Sequence, residues 1–297
     1  MGAPTADVSI DDAVVSRVVA EQCPQLAGHR VARLGGGWDN EVYAVGDDLV
    51  LRFPRCADRV AWLERELEVL ALVGPALPGL VPVVTVRGRP SDAFPYPFIG
   101  YPRLRGEVAT TPAPRLAREI GWMLTALHGV DASTLRPTPD AWEADDPREE
   151  LAALVTAAPT IRVLLAGPVL ERAAPYLAGA AAPPAPSPAR RLIHNDVCAE
   201  HLLVDHAGGL SGVLDFCDAV VGDPALDFVG LITVGPHAFA EAAADAYGLA
   251  IDEGFWARYV WYARVRTLRW LADAQAGGEP CGRHRAWVAR AFEPLDR

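Results

Sequence analysis

The residues able to do chemistry concentrate in one stretch, RLIHNDVCAEHLLVDHAGGLSGVLDF over 191–216. A strand-like RLIH leads into His194-Asn195-Asp196, and His201 follows five residues after Asp196. An apolar LLVD, a Gly208-Gly209 turn and a second apolar run, SGVLDF, then lead to Asp215. Two short strands joined by such a turn bring Asp196, His201 and Asp215 to one end. Two carboxylates and an imidazole converging there can bind a divalent cation and leave one carboxylate free to accept a proton. The same residues, with His194 added, could instead be the ligand set of a metal-dependent hydrolase. Taken singly, each has a plainer reading: an Asp at a strand end caps a turn, and a buried His packs.

The segments around this stretch must position it. Apolar spacing predicts a helix over 10–22, strands over 30–35, 41–46 and 48–53 with Pro54 ending the third, and an amphipathic helix over 57–73. Residues 80–86 and 97–101 read as short extended pieces. From about 113 the pattern turns helical: 115–129, 149–156, 169–178, 238–247 and 253–275. The proline-rich 181–189 reads as a surface loop feeding a strand at 191–194.

His194-x-Asp196-x4-His201, followed by Asp215, resembles the catalytic loop and metal-binding segment of protein kinases. More closely, Leu214-Asp215-Phe216 and Gly222-Asp223-Pro224-Ala225-Leu226-Asp227 resemble the aminoglycoside phosphotransferase family, whose pattern is H-x-D-x4-N or H, then a hydrophobic residue-D-F/W, then G-D-P-x2-D. Upstream, EIGWMLTALH at 119–128 is similar to that family's helix ending in Leu-His, PFIGYPRLRG at 97–106 to its linker, WLERELEVLAL at 62–72 to its N-lobe helix, and GGGWDNEVYAVG at 35–46 to its phosphate-covering loop. Histidine at 201 and the Gly100-Tyr101-Pro102-Arg103-Leu104 segment resemble the aminoglycoside 2''-phosphotransferase and macrolide phosphotransferase types.

The resemblance implies an α+β, bilobal protein-kinase-like fold, with a nucleotide-binding N-lobe over 1–101 and a helical C-lobe over 102–297. It implies Asp196 as the base that accepts the hydroxyl proton, and Asp215 with His201 as Mg²⁺ ligands, His201 acting directly or through water. Arg52 stands where the family has lysine and, paired with Glu66, would hold the α- and β-phosphates. Asn40 and Gly35–Gly37 would let backbone amides approach them. Tyr101, Arg103 and Leu104 would line the purine through the linker backbone. Asp223 and Asp227 are assigned to structure, fixing the catalytic loop. The donor is ATP or GTP. The acceptor is an antibiotic hydroxyl, in resistance or self-protection: aminoglycosides first, macrolides second, nucleoside antibiotics such as capuramycin third. A kinase-like binding protein that has lost catalysis is the non-enzymatic alternative, and the intact Asp196 and Asp215 speak against it.

Composition sets the bounds. The 297 residues carry a net charge of -11, and all 27 basic residues are arginine. This balance argues against nucleic acid or an anionic membrane as partner, since both require clustered positive charge, and suits a cationic substrate. Six carboxylates at 140–150 (Asp140, Glu143, Asp145, Asp146, Glu149, Glu150) would draw such an acceptor if they face a cleft, or form a solvated helix start if they do not. Trp142, Trp256, Trp261, Tyr262 and Trp270 could stack a flat acceptor or pack in the core. Five cysteines without a Cys-x-x-Cys pair, Asp7, Asp11 and Asp12 near the start, and the lack of a long apolar run lead to the expectation of a soluble cytoplasmic protein.

Overall fold

The computed structural model describes residues 6–37, 39–138 and 146–295. They divide into two compact units, one of residues 6–105 and 135–138, the other of 106–134 and 146–295.

The first unit is built on an antiparallel sheet of β1 (Val31–Gly36), β2 (Asn40–Val45), β3 (Leu49–Pro54), β4 (Val86–Gly88) and β5 (Phe98–Pro102), in the order β1-β2-β3-β5-β4. Alternation along β3 separates two faces. Leu51 and Phe53 point to the side covered by α1 (Asp12–Gln22), where Val15, Val18, Val19, Tyr43, Phe94 and Phe98 complete a core. Val50 and Arg52 point the other way; there Val50, Ile99 and Tyr101 meet Leu63 of α2 (Val60–Val73). The buried stripe of α2, Leu63, Glu66 and Leu70, has helical spacing, so Glu66 lies on the same side of the helix as the core leucines. Residues 135–138 join this unit through Arg65, which donates to the Arg136 carbonyl, and through an Arg136–Glu68 ion pair.

The second unit is mainly helical. Its α-helices are α3 (Pro114–His128), α4 (Pro147–Leu164), α5 (Gly167–Leu177), α6 (Leu226–Val229), α7 (His237–Asp245), α8 (Phe255–Ala276) and α9 (Gly282–Ala291). Short strands β6 (Glu107–Val108), β8 (Leu202–Val204) and β9 (Leu210–Val213) form one antiparallel sheet, and β7 (Arg191–Ile193) pairs with β10 (Val220–Gly222) in another. α3 packs on α7, while α8 packs on α4 and α9. Among the described residues no helix is long and apolar enough to cross a membrane.

The expected elements recur with informative differences. Of residues 80–86, expected to be extended, only Val86 is in a strand; Pro82 lacks the amide a ladder needs. α4 runs well past the expected 149–156 and through Pro159, because Leu154, Ala158 and Ile161 bury one face along its length. α9 went unpredicted: its sequence is polar and arginine-rich, and only His284, Val288 and Ala291 face inward. β9 ends at Val213, so Asp215 lies beyond the strand rather than within it.

Candidate active site

The loop that carries Asn195 and Asp196 follows β7. Asn195 takes a left-handed backbone (φ 68°), unusual for a residue with a side chain. The loop is held in this shape by Asp227 in the first turn of α6, which is fully buried. Asp227 accepts the His194 amide at 2.8 Å on Oδ2 and the Asn195 amide at 2.6 Å on Oδ1. The Asp227 carboxylate is also 2.9 Å from His128 Nε2, and the other nitrogen of that ring is 2.8 Å from the Tyr247 hydroxyl. On the far side, Arg266 of α8 donates from Nη1 to the Asn195 carbonyl (3.1 Å) and to its side-chain oxygen (2.9 Å). Gly230 completes the support: a Cβ there would fall 2.3 Å from the Val197 carbonyl, so only glycine lets this backbone approach the loop.

His194 bridges the loop to the second acid. Its Nε2 is 2.9 Å from the Leu214 carbonyl, and its Nδ1 accepts the Asp196 amide at 3.2 Å. These contacts require a neutral ring protonated on Nε2. Burial, which outweighs the nearby Asp227 carboxylate, lowers the His194 pKa and keeps it in that form.

β8 and β9 form a hairpin closed by Gly208 in a left-handed conformation (φ 75°) and by Asp205, whose carboxylate accepts the Ala207 and Gly209 amides. At the open end, Leu214 donates to the His201 carbonyl, which sets His201 beside Asp215. Asp215 too is left-handed (φ 63°). His201 Nδ1 is 3.0 Å from the Asp196 carbonyl and 3.3 Å from its carboxylate, and Nε2 is 3.7 Å from the Asp215 carboxylate. Burial of the His201 ring works against its charge, but Asp196, Cys198 and Asp215 outweigh it and raise its pKa well above 6.5. The Asp196 and Asp215 carboxylates are about one-third exposed (34% and 38%), open enough for a ligand to reach them. Asp196, His201 and Asp215 therefore meet in one place. Two left-handed residues without a glycine in so short a stretch are the kind of stored strain that functional sites retain.

In the first unit, Arg52 is buried and donates from Nη1 to Glu66 Oε1 at 2.5 Å. Asn40 opens β2 with its side chain buried and its Oδ1 without a hydrogen-bond partner. Within the glycine turn, the Gly37 amide donates to the Asn40 carbonyl at 2.9 Å, so this amide is already engaged. The Tyr101 side chain belongs to the core with Val50 and Leu63. Arg103 and Leu104 follow β5, and the Arg103 amide donates to the Asp48 carbonyl at 2.7 Å, so that amide too is engaged.

The acidic stretch divides. Asp140, Trp142, Glu143 and Asp145 lie outside the described residues. Asp146 caps α4 by accepting the Arg148 amide, and Glu149 stands exposed in its first turn. Glu150 is buried and pairs with both Arg266 and Arg269. It therefore presents no free charge to an acceptor, and it holds the arginine that braces Asn195. Trp261 and Tyr262 are core residues. Asp223 joins Arg258 at 2.5 Å in a buried pair and accepts the Ala225 amide, which fixes the turn into α6.

His128, Tyr247 and Arg266 are absent from the sequence-based site. His128 is prefigured only by its Leu-His helix end, and Tyr247 and Arg266 come from distant helical segments with no local signal.

The fold and this geometry can be set against known proteins. No curated protein matches the chain significantly. Among solved structures, the GDP complex of wild-type aminoglycoside 2'-phosphotransferase-IIIa superposes with a TM-score of 0.71 at 20% identity, covering 95% of this chain and 96% of that one. Macrolide 2'-phosphotransferase MphH from Brachybacterium faecium, as apoenzyme, gives a TM-score of 0.63 at 25% identity, covering 97% and 100%. The ADP-bound aminoglycoside phosphotransferase APH(2'')-Ib gives 0.60 at 20% identity, covering 96% and 97%. The kinase-like fold is thus shared along nearly the whole chain. The model of APH, the phosphotransferase enzyme family, matches residues 30–262, most of the sequence and all of residues 191–216, and the chain belongs to that family.

Proposed function

We propose that this phosphotransferase moves the γ-phosphate of ATP or GTP onto a hydroxyl group of an antibiotic, with an aminoglycoside as the first-ranked acceptor. The observation that supports this reading best is the convergence of Asp196, His201 and Asp215 on a loop pinned by Asp227 and Arg266. Phosphoryl transfer asks little covalent chemistry of the protein; it needs positioning and neutralisation of spread negative charge. Asp196 orients the acceptor hydroxyl and takes its proton. Arg52, fixed by Glu66, holds the α- and β-phosphates through its two-pronged guanidinium.

The donor set suits Mg²⁺. Asp215 offers the carboxylate oxygen that magnesium prefers, and His201 turns Nε2 toward the same side, where it would reach the ion through a water. Bound there, Mg²⁺ would neutralise phosphate charge. The protein residues set its place: the Asp196 carbonyl engages Nδ1 and leaves Nε2 for the metal side.

A macrolide is the second reading. Two observations favour it: MphH combines the highest identity among the structures above with full coverage of its own chain, and Glu150 is neutralised by arginines rather than available to a polycation. A coupled nucleotidase assay with ATP and GTP over aminoglycosides, macrolides, nucleoside antibiotics and simple alcohols tests the proposal. Acceptor-dependent nucleotide consumption by an antibiotic is the expected result. Consumption that no acceptor stimulates would overturn it.

A further inference from the structure

We infer that Asp196, Cys198 and His201 form a site for a thiophilic divalent cation of the zinc class, distinct from the Mg²⁺ position at Asp215, and that occupancy of this site blocks turnover. The donor atoms of these three residues lie within 4.8 Å of one another. The local backbone brings them together. Cys198, with an extended backbone, caps a 3-10 turn, Ala199–His201, and the His201 amide donates to the Cys198 carbonyl. Cys198 in turn donates its amide to the Asp196 carbonyl at 2.9 Å, curling the chain so that the carboxylate faces the same point.

The distances fit a tetrahedral ion. Zinc bonds of ~2.3 Å to sulfur, ~2.05 Å to nitrogen and ~2.1 Å to oxygen put ligating S and N about 3.6 Å apart and N and O about 3.4 Å apart. Cys198 Sγ is 3.6 Å from His201 Nδ1, and Nδ1 is 3.3 Å from the Asp196 carboxylate. The remaining edge, sulfur to carboxylate, is at most 4.8 Å. Binding would break the hydrogen bond from His201 Nδ1 to the Asp196 carbonyl and release the Nδ1 proton and the thiol proton to solvent as the Zn–N and Zn–S bonds form. The ring's other nitrogen, Nε2, then carries the proton and faces Asp215 at 3.7 Å, the carboxylate–histidine–metal arrangement that orients ligating imidazoles. Three protein ligands leave one position for water. A thiolate in the set selects zinc-class ions over magnesium, which takes oxygen donors. The two ions thus use opposite nitrogens of one ring.

The inhibitory part rests on the reading of Asp196 as the base; the binding part does not. Binding is tested on the metal-free full chain by titration with Co²⁺, a spectroscopic stand-in for Zn²⁺. The expected signature is a sulfur-to-cobalt charge-transfer band with tetrahedral d–d bands, lost in Cys198→Ser and Cys198→Ala. X-ray absorption on the zinc-loaded wild type needs no variant. It should show one sulfur at ~2.3 Å with nitrogen or oxygen completing the shell. No sulfur, several sulfurs, or a cobalt spectrum unchanged in both Cys198 variants overturns the site. For inhibition, turnover in excess Mg²⁺ should fall on adding Zn²⁺, recover with a chelator, and be at least about tenfold less sensitive in Cys198→Ser, since loss of a mere orienting partner already weakens a metal site by that much. Equal sensitivity in the variant overturns the inhibitory role. If no antibiotic is phosphorylated but the cobalt and X-ray signatures appear, the functional proposal fails and the metal site stands.

Discussion

At the scale of single residues, a proton acceptor needs a fixed direction and an open face. Asp196 has both: its amide is held by a neutral His194, its carbonyl accepts from Cys198 and lies against the His201 ring, and its carboxylate is one-third exposed. Asp196→Asn keeps that shape and removes the basicity, so kcat should fall by about 10²-fold or more with nucleotide affinity nearly unchanged. Near-normal single-turnover rates in this variant would remove Asp196 from the chemistry. The two imidazoles beside it respond to pH with opposite sign. His201 has its pKa raised well above 6.5 in the fold, so its charged form contributes stability that is full below pH about 6.5 and is lost as pH rises through the raised value. His194 is held neutral with its pKa lowered, so it costs stability as pH falls below about 6.5. In metal-free protein, NMR titration should place the His201 ring well above the usual histidine range, and Asp215→Asn should bring it down by removing one of the carboxylates that favour the charge. A His201 titration unmoved by Asp215→Asn would mean that their 3.7 Å approach carries no coupling. The types and order of these residues were legible because strand, turn and strand fix their spacing. The left-handed backbone at Asn195 and Asp215 was not, since neither is glycine and no local signal demands it.

Elements rather than residues decide whether the loop keeps that geometry. Asp227 belongs to α6 and His128 ends α3, and their contact spans 99 residues of sequence. Arg266 on α8 reaches Asn195 across 71. No periodicity within a segment can announce such pairs, so a sequence reading can assign Asp227 to structure but cannot name its partners. Asp227→Asn would turn an amide NH₂ toward the backbone amides of His194 or Asn195, leaving a buried donor unpaired at a cost of about 1–3 kcal/mol. A lower Tm and a loss in kcat larger than the change in nucleotide KM are expected. Unchanged Tm and kcat would show that the loop holds its shape unaided. In the first unit the pairing of Arg52 with Glu66 follows from two periods that sequence does display: the alternation along β3 and the helical stripe of α2. Arg52→Ala should raise the nucleotide KM more than the acceptor KM, because only phosphates are proposed to meet it. Steady-state kinetics with each substrate varied in turn would check this, and an equal change in both would assign Arg52 to the fold alone. Elsewhere, element boundaries failed where burial overrode pattern, as in α4 continuing through Pro159 and in the polar α9.

For the molecule as a whole, composition and tertiary pairing give different accounts of the charge. The sequence shows a net charge of -11 and a run of carboxylates at 140–150, which together suit a polycationic acceptor. Pairing reduces that argument: Glu150 is spent on Arg266 and Arg269, and Asp146 on capping α4. Sequence could not foresee this, because the arginines arrive from a helix more than a hundred residues later. The division into units shows the same limit, since residues 135–138 join the first unit through side chains of α2, not through any composition shift. What survives pairing is the long-range field of a strongly acidic molecule. Such a field raises the encounter rate of a cation and is screened over ~10 Å at 0.1 M salt. If the acceptor is an aminoglycoside, its kcat/KM should drop by up to about tenfold between low and high ionic strength, mainly through KM, whereas an uncharged nucleoside acceptor should show little change. Measuring both series with ATP and GTP separates the effect on the acceptor from that on the nucleotide, whose own charge is repelled by the same field and whose KM should move the opposite way. Turnover of a macrolide or a neutral nucleoside, with no aminoglycoside activity at any salt concentration, would replace the first-ranked acceptor and leave Asp196, Asp215 and Arg52 in their proposed roles.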